Sequence, residues 1–235
     1  MSDLVFIGDV HLEEEGPDLD AFLAFLDRLK ATASRVVLAG DLFNVWIGAR
    51  DLERPHQARV VAKLQELRRL GLVVRYLEGN RDYRVAQAYV GSALDDAPGD
   101  GLVERVGGRS IFAIHGDLAN AADRQYRTWR RFSRSAPVWG AFRALPAQTR
   151  QRLVNRLEAS MRASNARFKA AFPEEVVRRY AGGFLARGHD AVVLGHFHTE
   201  RELDGRIFVL PEWKESRRHL RVGEDGRIAF VASSA

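Results

Sequence analysis

The chain has 235 residues, 46% hydrophobic and 29% charged, with a formal net charge of +5; this balance supports a sizeable buried core and excludes wholesale disorder. It has no cysteine, which excludes a disulfide scaffold, thiolate metal ligands and thiol catalysis, and fits a reducing compartment. No apolar run approaches the ~18 residues of a membrane span, and the opening Met1-Ser2-Asp3-Leu4-Val5-Phe6-Ile7 reads as a first strand rather than a secretory leader.

The first third alternates strand-length apolar runs with helical patterns. Leu4–Ile7, Val36–Ala39 and Leu72–Leu77 are predicted strands. Between them, Leu19, Phe22, Leu23, Leu26 and Leu29 mark one helix face, and Val60, Leu64, Leu67 and Leu70 another. That alternation predicts parallel strand–helix–strand units. Leu102–Val106 and Arg109–Ile114 flank Gly107-Gly108 as a hairpin. A helical stretch follows over about 120–187, broken near Pro137, Gly140, Pro146 and Pro173. Strands return at Ala191–Leu194, Glu200–Leu203, Arg206–Leu210, Leu220–Val222 and Arg227–Val231. The expectation is one domain over 1–235, a sheet-based core carrying a helical lid insertion.

Charge is unevenly spread. Between Asp123 and Arg187 there are fifteen Lys or Arg against four acids, a balance of +11 that leaves −6 for the rest. Such asymmetry points the insertion towards something anionic, while a solvated helical face accounts for a basic stretch equally well.

Five polar motifs follow predicted strands directly: Gly8-Asp9-Val10-His11, Gly40-Asp41-Leu42-Phe43, Gly79-Asn80-Arg81-Asp82, His115-Gly116-Asp117 and Gly195-His196-Phe197-His198. Loops beyond the carboxyl ends of strands form the functional crevice of open α/β sheets, so all five can converge. Asp9, His11, Asp41, Asn80, His115, His196 and His198 offer only oxygen and imidazole nitrogen, a set suited to Mn, Fe or Zn. Seven donors exceed the need of one tetrahedral ion, and two ions sharing a carboxylate account for them better. In Asp9-Val10-His11 and His196-Phe197-His198 an extended backbone would point the paired side chains the same way; a turn would separate them. Singly, each residue reads as a turn Asp or a core His. His56, His189 and His219 follow no strand motif and read as surface or structural residues.

In this order the motifs resemble the calcineurin-like metallophosphoesterases, whose pattern is D-x-H, G-D, G-N, H and G-H-x-H. The resemblance implies an α/β fold, a calcineurin-like metallophosphoesterase sheet sandwich flanked by helices, here with a basic helical cap. It also implies ligand roles: Asp9, His11 and His198 on one ion, Asn80, His115 and His196 on the other, Asp41 bridging. Mn2+ is the expected metal, and a hydroxide activated by the two ions the expected nucleophile.

Arg81 stands where the phosphoprotein phosphatases of this superfamily have a His that protonates the leaving alcohol. Arginine cannot act as an acid near neutral pH, but it clamps phosphoryl oxygens well. A phosphate monoester, with a second pKa near roughly 6, can leave without a proton. Gly79-Asn80-Arg81-Asp82 therefore favours cleavage of a pyrophosphate.

The run Asp41–Gly48, together with His115-Gly116-Asp117 followed by Asp123, Tyr126 and Arg130, resembles the subgroup that hydrolyses UDP-2,3-diacylglucosamine to UMP and 2,3-diacylglucosamine 1-phosphate in lipid A synthesis. That likeness implies substrate contacts from Asn80, Arg81, Asp123, Tyr126 and His196, with Ser160, Ser164, Asn165 and Lys169 as looser matches. It further implies a lipid-linked UDP-sugar as partner, a monomer, no nucleic acid, and a peripheral place on the cytoplasmic face of the inner membrane. Phe197, Asn120-Ala121-Ala122, Glu158 and Pro211–Glu215 depart from the subgroup's pattern. The alternative is a metallophosphodiesterase acting on nucleic acid or a cyclic nucleotide, its basic cap tracking phosphates.

Overall fold

The structure is a computed structural model that describes residues 3–165 and 172–233, with the backbone alone at 162–165. In chain order it runs β1 (Leu4–Ile7), α1 (Pro17–Thr32), β2 (Arg35–Leu38), β3 (Trp46–Ile47), α2 (Pro55–Arg69), β4 (Val73–Tyr76), β5 (Asp82–Tyr83) and α3 (Val85–Tyr89). The hairpin β6 (Leu102–Val106) and β7 (Arg109–Ile114) follows, then α4 (Arg124–Ser133), α5 (Ala136–Ala144), α6 (Ala147–Asn165) and α7 (Glu174–Leu185). The chain closes through β8 (Ala191–Leu194), β9 (Arg201–Leu203), β10 (Ile207–Val209), α8 (Trp213–Ser216), β11 (Arg218–Val222) and β12 (Ile228–Ala232).

Two five-stranded sheets stack face to face, in the orders β12-β11-β1-β2-β4 and β6-β7-β8-β10-β9. β1, β2 and β4 pair in parallel, as do β7, β8 and β10, while the outer strands pair antiparallel. Period-two alternation assigns the faces. Leu4, Phe6, Val37 and Ala39 meet Ile111, Ala113, Ala191, Val193 and Phe208 between the sheets. Val5, Ile7, Val36 and Leu38 turn outward onto α1 and α2. With both faces covered, these strands carry unbroken apolar runs, as buried parallel strands do.

Each helix is seated by its sequence. α1 opens on Pro17 with Asp18 and Asp20 in the first turn and Lys30 in the last, matching charge to the helix dipole. Its buried stripe is Leu19, Phe22, Phe25, Leu26 and Leu29, so Phe25 takes the inner place expected of Leu23, which is only partly buried. α2 buries Val60, Leu64 and Leu67 as expected, but Leu70 lies past its end and is exposed.

The stretch 120–187 is not uniform. α7 buries Val177 and Ala181 against the outer face of the second sheet, making it the fourth layer of the sandwich. α5 and α6 instead close over Val45, Ala49, Leu52 and Tyr83 with Trp139, Phe142, Val154 and Leu157. Trp129 and Phe132 on α4 remain exposed.

Candidate metal centre

The five motifs sit at the carboxyl ends of β1, β2, β4, β7 and β8. None of their paired ligands is extended: Asp9, His11, Asp41, His196 and His198 all have φ between 51° and 71°. That left-handed region is uncommon for residues with a side chain and persists where surrounding structure imposes it, typically at functional sites. The sharp turns bring side chains from separate strands to one place.

Asp9, His11 and His198 form the first group. Asp9 Oδ1 lies 3.8 Å from His11 Nε2 and 3.4 Å from His198 Nε2, and the two imidazole nitrogens are 3.1 Å apart. Donors held at roughly 2.0–2.2 Å from one ion stand about 3–3.6 Å from each other. Asp9 Oδ1 is buried without a hydrogen-bond partner, whereas Oδ2 accepts the backbone N–H of His196 at 2.8 Å. A buried carboxylate oxygen left without a donor is costly, and facing two imidazoles it fits a cation.

Asp9, Asp41 and His115 form the second group, so Asp9 belongs to both. His115 donates Nδ1–H to the Ala39 carbonyl at 2.8 Å, which leaves Nε2 facing Asn80 Oδ1 at 3.1 Å and Asp41 Oδ2 at 3.8 Å. His196 Nδ1 approaches the same Asn80 oxygen at 3.0 Å. Crowding here leaves no room for a side chain at Gly79, where a Cβ would lie 2.2 Å from Asp41 Oδ1 and 2.8 Å from His115 Nε2. The seven donors thus converge, and their chemistry and spacing fit divalent ions.

Electrostatics agree. Burial works against charge on His198, but Asp9 and then Glu212 overcome it and lift the ring to about 10. Burial would raise Asp9; the neighbouring histidines, His198 foremost, outweigh it and hold that carboxyl well below its ordinary value. His196 is pushed down to about 4 by burial and by His115. In the metal-free protein a proton on His198 thus compensates Asp9, a place that a bound cation would take over.

Support comes from Asp82, Arg134 and Glu212, which sequence reasoning does not single out, and from Arg130, which it does. Asp82 is fully buried, and its Oδ2 accepts from Asp41 N, Gly79 N and the Tyr76 hydroxyl at 3.0, 2.7 and 2.8 Å. Arg134, the residue that caps the end of α4, donates Nη2–H to the carbonyls of Gly79 and Asp82 at 2.8 and 2.7 Å, and Arg130 reaches that of Glu78. Arg130 of α4 and Arg134 at its end therefore bracket the turn carrying Asn80 and Arg81. Glu212 Oε2 lies 3.2 Å from His198 Nδ1. The motif Gly79–Asp82 contains Asp82 in plain view, but nothing in the sequence reveals which backbone amides it meets.

Arg81 is buried, with Nε 3.5 Å from Asp41 Oδ2 and Nη1 donating to the Asn44 carbonyl. Asp123 is an exposed N-cap of α4, its Oδ1 accepting from Tyr126 N at 2.9 Å. The Tyr126 hydroxyl donates to Asp117, which also takes Arg130 Nε at 2.6 Å. Ser160 is exposed on α6. Lys169 and the side chains of Ser164 and Asn165 lie outside the described residues. His56 and His219 are buried structural residues.

Residues 3–200 match the calcineurin-like phosphoesterase description. The chain belongs to the calcineurin-like phosphoesterase family. Among members of this phosphoesterase family it is 32% identical to a UDP-2,3-diacylglucosamine hydrolase of Pseudomonas entomophila over 95% of this chain and 96% of that one. It is 33% identical to the protein of that name from Stutzerimonas stutzeri, with the same coverage of both chains. The counterpart in Pseudomonas aeruginosa is 32% identical, again over 95% of this chain and 96% of the other. As a calcineurin-like phosphoesterase the chain is a metal-dependent hydrolase, and the groups Asp9, His11 and His198 and Asp9, Asp41 and His115 could hold a metal ion.

Proposed function

We propose that this phosphoesterase cleaves the pyrophosphate bond of UDP-2,3-diacylglucosamine, giving UMP and 2,3-diacylglucosamine 1-phosphate. The observation that carries the reading is the end-to-end likeness to hydrolases of that substrate, over 95% of the chain. Asp9, His11 and His198 would hold one divalent ion and Asn80, His115 and His196 a second, with Asp41 serving both, and Mn2+ is the metal we expect there. When bound, such ions supply Lewis acidity at phosphorus and an acidified water.

The chain's own residues do the rest. The fixed turns hold Asn80 and His196 beside the reacting phosphate, and Arg81 offers positive charge to its oxygens without a proton to give. None is needed, because the departing phosphate monoester is stable as an anion. Asp123, Tyr126 and the α6 side of the cap grip the sugar and acyl chains.

The enzyme works as a monomer at the cytoplasmic face of the inner membrane. No helix among the described residues is long and apolar enough to cross a membrane. Exposed Trp129 and Phe132, 46% and 59% accessible, lie among the basic residues of α4 and favour a peripheral seat.

The test is product analysis. Purified protein incubated with UDP-2,3-diacylglucosamine micelles and Mn2+ should release UMP and the lipid phosphate in equal amounts, and a chelator should abolish this. Release of UDP, or activity confined to single-stranded DNA or cyclic nucleotides, would overturn the reading.

A further inference from the structure

His198 presents its two ring nitrogens to different neighbours. Nε2 faces the corner made by Asp9 Oδ1 and His11 Nε2, at 3.4 and 3.1 Å. Nδ1 faces the Glu212 carboxylate at 3.2 Å. This is the arrangement in which an outer carboxylate fixes the orientation and tautomer of a metal-binding imidazole, leaving the other nitrogen's lone pair for the ion.

Glu212 is well placed for the task because its surroundings are rigid. It precedes α8, whose Trp213 is buried between Phe22 and Phe25 of α1, with ring centroids 5.1 and 5.8 Å away. Trp213 Nε1 donates to Ser233 Oγ at 3.0 Å. Trp213 N donates to the Asp9 carbonyl at 3.3 Å, and Leu210 N to the Leu194 carbonyl at 2.7 Å. The segment bearing Glu212 is therefore fastened both to the strand that precedes the His196–His198 turn and to Asp9 itself. His198 has more need of such help than His11 or His115: its side chain is 30% exposed, against 3% and 1% for theirs. Within the centre, His115 has the Ala39 carbonyl in the equivalent position.

We propose that Glu212 is a positioning residue, which accepts Nδ1–H of His198 and so holds Nε2 on the ion shared with Asp9 and His11. The inference rests on the two-ion reading above. It assigns Glu212 a role in ion affinity at one site and none in the other, and no contact with substrate.

The experiment is calorimetric titration of metal-stripped protein with Mn2+, comparing the wild type with Glu212→Ala and Glu212→Gln, alongside the thermal midpoint of each metal-free protein. The wild type should show two sites. Glu212→Ala should weaken one of them about 10- to 100-fold and leave the other unchanged, while the metal-free midpoint falls only by what the Glu212–His198 pair contributes. Glu212→Gln retains an acceptor oxygen without the charge and should fall between. Two unaltered sites in Glu212→Ala would overturn the role, as would equal weakening of both with a lowered midpoint. A wild type that binds fewer than two ions would instead overturn the two-ion reading.

Discussion

The Asp82 carboxylate accepts the backbone N–H of Asp41 at 3.0 Å, although 41 residues separate them. Through this bond the loop after β4 fixes the loop after β2, and the same oxygen also gathers Gly79 N and the Tyr76 hydroxyl. Burial and the charge of Asp41 push Asp82 up to about 7, partly offset by these donors.

Asp82→Ala should therefore leave three buried donors unpaired and unseat Asp41. Chemical denaturation should show a loss of about 3 kcal/mol or more, with activity falling at temperatures where the variant is still folded. Unchanged stability would mean that water or another acceptor replaces the carboxylate.

How far the sequence led is clear from particular elements. β1, β6, β7 and β8 lie where their apolar runs end, because turn residues bound each run. The seven donors were legible because each follows a strand. β3 and β5, two residues each, were not, since no periodicity exists over so short a run. Asp82, Glu212 and Arg134 were not legible as parts of the site because their partners come from distant loops. The sequence of Asp9-Val10-His11 is compatible with both extended and turned backbone, and positive φ at Asp9 and His11 decides for the turn.

Arg81 gives a second prediction. Its side chain lies against Asp41 while carrying the charge expected to meet phosphate. Arg81→Ala should lower turnover of the lipid substrate about 100-fold with both ions retained. Arg81→His restores a proton donor and should not rescue the lipid reaction, because the leaving phosphate needs no proton. Full rescue by histidine would contradict the leaving-group argument.

His219 makes the fold pH-sensitive away from the metal centre. Burial, with Arg221 and Arg218 nearby, lowers it from 6.5 to about 4, and Nδ1 lies 2.9 Å from Ser233 Oγ. A histidine whose folded pKa is depressed contributes stability that is complete above its unfolded value and is lost as pH falls towards the folded one. Between about pH 6.5 and 4 the metal-free protein should weaken, and His219→Gln should flatten that slope by up to about 1.4 kcal/mol per pH unit. Identical slopes in denaturant titrations would show that His219 does not titrate on unfolding.

Membrane attachment separates into two parts. Trp139 packs with Phe142 in the cluster beneath α5, so the apolar contribution falls to exposed Trp129 and Phe132. Trp129→Ala with Phe132→Ala should weaken binding to anionic vesicles even at high salt, whereas neutralising exposed Arg124 and Arg131 should matter only at low salt. Excess single-stranded DNA should barely inhibit lipid turnover; strong inhibition at moderate salt would favour a nucleic-acid groove.

The central claim is that seven side chains from five loops form one two-ion centre with Asp41 between the ions. It is tested most directly by counting Mn2+ per chain in fully active protein and in Asp41→Ala. The account predicts two ions in the active enzyme, and neither held stoichiometrically once Asp41 is removed. A single ion at full activity, retained by Asp41→Ala, would contradict it.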